Sequence, residues 1–304
     1  MRVFLFVATK KGLSVLKALT EAAPGSIVGV CSFREEGVAT AFYDKIKERA
    51  EETGRFHVWK DVSRDPRSIV VGSGATHVIT VGSRFVLPTG LNDDLECPML
   101  VFHDSLLPKY RGFDPLPAAI INGESQVGLT VLFAADEVDS GDIVLQKSFK
   151  VGPDDRIADV IKTVAEVYAD AVPELVAMMS KGKVVGKAQT HSKATYSIWR
   201  DSEDMQIDWR LPAEIVHNFV RAHGEPYLAA WGEIDGVRVT VGSSKVIDDL
   251  PLEVRQPGKI WKAAGPSAVV ICGEGLLEIS ECKNAQGEKH DFRNLRTRFA
   301  LPVR

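Results

Sequence analysis

Met99-Leu100-Val101-Phe102-His103-Asp104-Ser105-Leu106-Leu107-Pro108-Lys109-Tyr110-Arg111-Gly112 is a short apolar run that breaks abruptly into polar and turn-forming residues. The run reads as a buried strand, and the break sets His103 at its carboxyl end. In open α/β sheets ligands bind at that edge, so an ionisable side chain there points to chemistry. A second strand, residues 129–134, leads into the acidic turn Asp136-Glu137-Val138-Asp139-Ser140-Gly141-Asp142. If the two strands are neighbours, Asp139 and His103 meet above the sheet. Singly, each has a plainer reading: a histidine after a strand bonds to its own loop, and an acidic turn is solvated.

Around this stretch the first half alternates strand and helix. Residues 3–8, 27–31, 77–81 and 98–103 are apolar runs of strand length, while 12–23, 39–52 and 116–121 carry apolar residues at helical spacing. The alternation predicts an α/β, Rossmann-like, mostly parallel sheet with helices on both faces. The first strand-to-helix turn, Ala8-Thr9-Lys10-Lys11-Gly12, lacks the spaced glycines of a dinucleotide fingerprint. Residues 157–180 read as a long amphipathic helix opened by Pro153-Asp154-Asp155, which can cap it.

Residues 181–193 then hold Lys181, Lys183, Lys187 and Lys193 with no acidic residue, a linker by composition or a basic surface for a phosphate-bearing substrate. From Asp201 the pattern changes to short strands at 227–231, 237–241, 258–261, 268–271 and 276–279 with a helix over 212–222, which predicts a small C-terminal β-barrel of the OB type. The expected organisation is a catalytic domain over 1–180, a basic linker over 181–200 and the OB-like domain over 201–304. A chain of 304 residues, 45% apolar, can bury two cores. Its net charge of −4 gives no argument for nucleic acid. Cys31, Cys97, Cys272 and Cys282 form no C-x-x-C pair and read as reduced packing residues, with no metal site. The first apolar run is too short for a signal peptide or a membrane span, so a cytoplasmic location without membrane contact is expected.

The run from His103 to Gly112 resembles the signature of the formyltransferases that use 10-formyltetrahydrofolate: a His, Ser105 to Pro108, the pair Tyr110-Arg111 and Gly112. Asp139-Ser140-Gly141 follows 36 positions after the His, a separation that matches the family. Further landmarks extend the likeness through the second half: Ala194-Thr195-Tyr196, Ile207-Asp208-Trp209, Asn218 with Arg221-Ala222 and Pro226, Pro257-Gly258 and Gly273-Glu274-Gly275.

The resemblance implies transfer of a formyl group from 10-formyltetrahydrofolate to an amine. A histidine titrates near neutrality and can carry the proton from the incoming nitrogen to the leaving one, and a carboxylate beside it orients the ring. The family assigns those roles to His103 and Asp139. It places the pterin against Arg84, Phe85 and Val86, against Leu106, Leu107 and Pro108, and against Ala135, Asp136, Val138 and Asp139. The sequence departs from the pattern at Val101, where the family has an Asn that steadies the oxyanion, and at Asp104, where a small residue or proline is usual. Loss of one oxyanion donor costs roughly 100- to 1000-fold in rate. Either Ser105, Asn122 or a backbone N–H stands in, or protonated His103 acts alone, or the protein binds folate without turnover.

For the acceptor, the domain from Asp201 holds 13 Lys or Arg against 16 Asp or Glu, a net of −3 that suits phosphate backbones poorly. The segment 33–44 is short for the insertion of a methionyl-tRNA formyltransferase. With the Lys109-Tyr110-Arg111-Gly112 form of the signature and Ser197-Ile198-Trp199-Arg200-Asp201, it resembles the sugar-nucleotide N-formyltransferases. The expected acceptor is therefore a nucleotide-linked amino sugar, with tRNA as the alternative, and Lys10, Ser105, Tyr110 and Arg111 as its contacts. Dimers occur among the sugar enzymes, so a homodimer is compatible with the likeness.

Overall fold

The computed structural model describes residues 1–34, 41–53, 55–83 and 85–303, and the chain divides into two compact units. The first comprises Met1–Pro115, Gln126–Lys150 and Ile161–Ser197; the second comprises Leu116–Ser125, Val151–Val160 and Ile198–Arg304.

The first unit is organised on β1 (Val3–Val7), whose five apolar side chains are all buried. A strand with no polar position must be covered on both faces, which makes it a central parallel strand. β2 (Ile27–Ser32), β3 (Phe56–Val58), β4 (His77–Val81) and β5 (Leu100–His103) join it; β6 (Arg111–Gly112) lies outside the sheet; β7 (Gln126–Phe133) and β8 (Ile143–Lys150) complete it. The order is β3-β2-β1-β4-β5-β7-β8, parallel through β5 and antiparallel thereafter. β8, unforeseen in the sequence, is half-exposed with alternating burial, as befits an edge. α1 (Thr9–Ala22), α2 (Ala41–Thr53), α3 (Trp59–Val62) and α4 (Pro66–Gly72) fill the connections, and Phe4 and Phe6 pack with Val62 and Val70. The start of the helix expected over 39–52 lies outside the described residues. α5 (Pro115–Ile121) precedes β7, and α6 spans Ile157–Ser180, as its periodicity indicated. Ahead of α6 the Asp155 carboxylate turns back to accept the Gly152 N–H at 2.7 Å.

Residues 181–197, expected within a basic linker, are bonded into the first unit. Lys187 and Ile143 exchange two backbone hydrogen bonds of 2.8 Å, and β9 (Tyr196–Ser197) pairs in parallel with β6. Lysine-rich composition signals solvated side chains, whereas these contacts are made by the main chain, which composition does not report.

The second unit has two antiparallel sheets around one core rather than a single continuous ladder. They are β10 (Trp231–Ile234), β11 (Val237–Thr240) and β16 (Lys283–Asn284), and β12 (Ser243–Ile247), β15 (Leu276–Ser280), β14 (Ser267–Ile271) and β13 (Ile260–Ala264). α7 (Ala213–Arg221) covers the core, where Trp209 stacks on Phe299 at 4.8 Å. The strand expected over 227–231 begins only at Trp231, because Gly224 accepts from the Tyr227 N–H at 2.7 Å and closes a turn. Among the described residues no helix is long and apolar enough to cross a membrane.

Candidate active site

Strand β5 delivers His103 to the carboxyl edge of the sheet, where its side chain is 8% exposed. One ring nitrogen, Nε2, lies 2.8 Å from the Tyr110 carbonyl. A carbonyl can only accept, so Nε2 carries the proton in that bond. The other nitrogen, Nδ1, faces Asp139 Oδ2 at 3.4 Å. The two groups expected to meet therefore do so, but the ring is anchored by Tyr110 rather than by the carboxylate. That division leaves Nδ1 as the nitrogen able to take up a second proton, with a negative oxygen beside it.

Asp139 is held from several sides. Its Oδ2 accepts the Gly112 N–H at 2.8 Å. Gly112 has φ +95°, and a Cβ there would lie 2.5 Å from the Ser197 carbonyl oxygen, so only glycine permits the β6–β9 pairing that aims its N–H. Asp139 itself has φ +52°, a left-handed conformation that Asp tolerates better than most residues. Gln189 grips the turn, giving hydrogen bonds to the Asp139 and Gly141 carbonyls at 2.8 and 2.7 Å and accepting one from Arg111 Nη2 at 2.7 Å. Thr195 ties the facing loop by accepting the Tyr110 and Arg111 N–H groups, both at 2.9 Å. Nothing in the lysine-rich composition of residues 181–193 singled out Gln189; its only signal was an uncharged amide in a basic run.

Several expected contacts are reassigned by their burial. Arg111 is 2% exposed, with its guanidinium on Gln189 and His191, so it braces the site rather than reaching an acceptor. Ser105 is 3% exposed and donates its hydroxyl to the Lys109 carbonyl, so it is spent inside the loop and supplies no oxyanion donor. Leu107 is buried, and both its main-chain groups are engaged, by Thr130 and Gln146. Leu106 and Pro108 are half-buried beside it. Phe85 is half-buried and stacks on Trp59 at 4.5 Å. Val86 and Val138 are 80% and 54% exposed, and the loops that carry them are tied by the Thr89–Asp136 hydrogen bond of 2.5 Å. Ala135 and Asp136 are exposed. Lys10 and Tyr110 are half-buried at the same sheet edge. Asn122 is exposed and belongs to the second unit. Arg84 lies outside the described residues.

Asp104, the departure from the signature, has its own partners: Lys11 Nζ on one carboxylate oxygen and the Tyr168 hydroxyl on the other. Phe102, two positions earlier, packs on the Tyr168 ring at 5.2 Å. Successive strand residues alternate faces, so this cluster lies opposite His103. Among the described residues no group of three His, Cys, Asp or Glu could hold a metal ion. Burial pushes the Cys31, Cys272 and Cys282 thiols up to about 12, which keeps them protonated and inert. Two cavities of about 340 and 380 Å³ lie in the second unit and touch neither His103 nor Asp139.

Comparison with known proteins gives a consistent picture. Sequence profiles described as "Formyl transferase" and "Formyl transferase, C-terminal domain" match residues 61–176 and 200–299. The chain is 34% identical over 209 residues to a methionyl-tRNA formyltransferase of Heliobacterium modesticaldum, covering 67% of this chain and 66% of that one. A methionyl-tRNA formyltransferase of Solibacter usitatus is 30% identical, over 76% of this chain and 73% of its own. The fold is also similar to the N-formyltransferase from Helicobacter canadensis, solved with folinic acid and dTDP-3-aminofucose. That match has TM-score 0.67 and 13% identity, and covers 92% of this chain and 98% of the other.

Proposed function

The chain belongs to the formyltransferase family, and from that premise we propose that His103 and Asp139 carry the transfer of a formyl group from 10-formyltetrahydrofolate to the amine of a nucleotide-linked amino sugar. It is an N-formyltransferase by its family. The observation that supports the residue roles is the ring of His103, anchored through Nε2 and presenting Nδ1 to Asp139 at 3.4 Å.

The loop surfaces fit a pterin. Among the described residues, the backbone N–H groups at 135–139 have no protein partner, and Val86 and Val138 offer exposed apolar side chains on two tied loops. A flat heteroaromatic with acceptors on its edge suits such a surface. Val86, Ala135, Asp136 and Val138 would hold it, with Leu106 and Pro108 adjoining. The bound donor supplies an activated formyl carbon. His103 Nδ1 takes the proton from the attacking amine and returns it to the nitrogen that departs. Asp139 sets a negative charge beside the ring while it holds that proton. With Val101 apolar and Ser105 committed, oxyanion stabilisation falls to protonated His103 or a backbone N–H.

Support for the sugar acceptor is the acidic balance of residues 201–304, a net of −3, since tRNA affinity rests on neutralised phosphates. The relatives named methionyl-tRNA formyltransferase favour the second reading, transfer to charged tRNA. Incubation with 10-formyltetrahydrofolate and a panel of amino-sugar nucleotides, read by mass spectrometry, separates the two. A gain of one formyl mass on a sugar is expected; formylation of methionyl-tRNA alone would overturn the sugar assignment.

A further inference from the structure

Gln189 is 6% exposed and uses its amide to capacity. Its Oε1 accepts from Arg111 Nη2 at 2.7 Å and Nε at 3.3 Å, and its Nε2 donates to the carbonyls of Asp139 and Gly141 at 2.8 and 2.7 Å. The orientation of the amide is forced, because a guanidinium only donates and a peptide carbonyl only accepts. No other side chain of this length supplies two donors and two acceptors in one plane: Glu lacks the donors, and Leu and Met lack both. The two carbonyls it grips flank Ser140, so the grip fixes the backbone on both sides of the turn that holds Asp139 at φ +52°.

We propose that Gln189 is a positioning residue for formyl transfer, clamping the Asp139 turn to Arg111 so that the carboxylate stays against His103. The proposal rests on the reading of His103 and Asp139 as the reacting pair. Arg111 is the fixed end of the clamp, since its own N–H is bonded to the Thr195 carbonyl at 2.9 Å and its guanidinium is buried. Without the clamp the carboxylate is left with the Gly112 N–H to hold it on the Nδ1 side of the ring, and the turn that carries it is no longer fixed. The expected signature is lost turnover with donor binding kept.

The test is Gln189→Glu in the full chain. This variant retains an acceptor for Arg111 and replaces the two donors to the turn with a carboxylate oxygen that repels both carbonyls. Formyl transfer is followed by steady-state kinetics, with thermal unfolding as the check on folding. The variant is expected to lower kcat by about 10- to 100-fold while the KM for 10-formyltetrahydrofolate stays within about threefold, the scale of an ångström-sized misplacement. In an Asp139→Asn background, Gln189→Glu is expected to add no further loss, because both changes act on the same contact. Wild-type turnover in Gln189→Glu, or an equal loss in the Asp139→Asn background, would overturn the clamp. Full activity of Asp139→Asn alone would instead overturn the reading of the reacting pair. If Gln189→Glu does not fold, Arg111→Met with Gln189→Met removes donor and acceptor together and tests the same loss of turnover.

Discussion

Gly141→Ala should damage the site without touching a reacting group. A Cβ built at Gly141 lies 1.9 Å from the Phe133 carbonyl oxygen and 2.9 Å from the Phe133 carbonyl carbon, both backbone atoms of the sheet. Real contacts of this kind do not fall below 3.0 Å, so the turn must open by more than an ångström. That movement pulls the Gly141 carbonyl from Gln189, a 2.7 Å bond, and drags Asp139, two residues away, from His103. Strain of about 1–3 kcal/mol and a lost hydrogen bond of about 0.5–1.5 kcal/mol give roughly 2–4 kcal/mol of destabilisation. For a unit of this size the melting temperature should fall by roughly 5–15 °C. Displacement by about 1 Å at the pair should lower kcat about 100-fold. Calorimetry and formyl-transfer kinetics on the same preparation measure both. A melting temperature and kcat equal to wild type would refute the reasoning, since the backbone contact leaves no room for the extra methyl.

Other consequences are independent of that turn. Lys11→Met removes the cation from an ion pair whose side chains are 10% and 12% exposed, and stranding Asp104 should cost about 3–5 kcal/mol by urea unfolding, with much of it regained on adding Asp104→Asn. Equal stability of the single variant would contradict this. Burial holds the His223 imidazole down at about 4, below its ordinary 6.5, so between these values the unfolded chain binds the extra proton and the folded one does not. Stability should therefore fall by about 3 kcal/mol as pH drops from 6.5 to 4, and His223→Leu should flatten that limb of a pH series of denaturation curves. Arg156 meets Glu281 on the surface at 2.9 Å, with side chains 46% and 57% exposed, so Arg156→Ala should shift stability by no more than about 1 kcal/mol.

How far the sequence carried depended on whether an element was specified by its side chains or by the main chain. Residues 3–7 and the long helix 157–180 were legible because apolar side chains dictate a buried strand and an amphipathic helix wherever they sit. The meeting of His103 and Asp139 was legible because His103 ends β5 and Asp139 lies in the turn that follows β7, and these strands pair directly with His103 opposite Thr130. The alternation of β8 passed unnoticed because half-exposed side chains resemble a loop. The burial of Arg111 and Ser105 was not legible, because a place near the carboxyl edge of the sheet does not say which way a side chain turns, and both are buried and paired inside the loops they stabilise. Gln189 was invisible, since its importance lies in two carbonyls from a segment about fifty residues earlier, and backbone acceptors leave no mark in a sequence.

The sharpest test is the His103→Ala protein, assayed for formyl transfer in a single turnover beside a direct measurement of donor affinity. Removal of the imidazole should cost at least about 100-fold in the transfer rate, the usual contribution of a general acid or base, with the affinity for 10-formyltetrahydrofolate nearly unchanged. Transfer at the wild-type rate would show that the proton travels by another route.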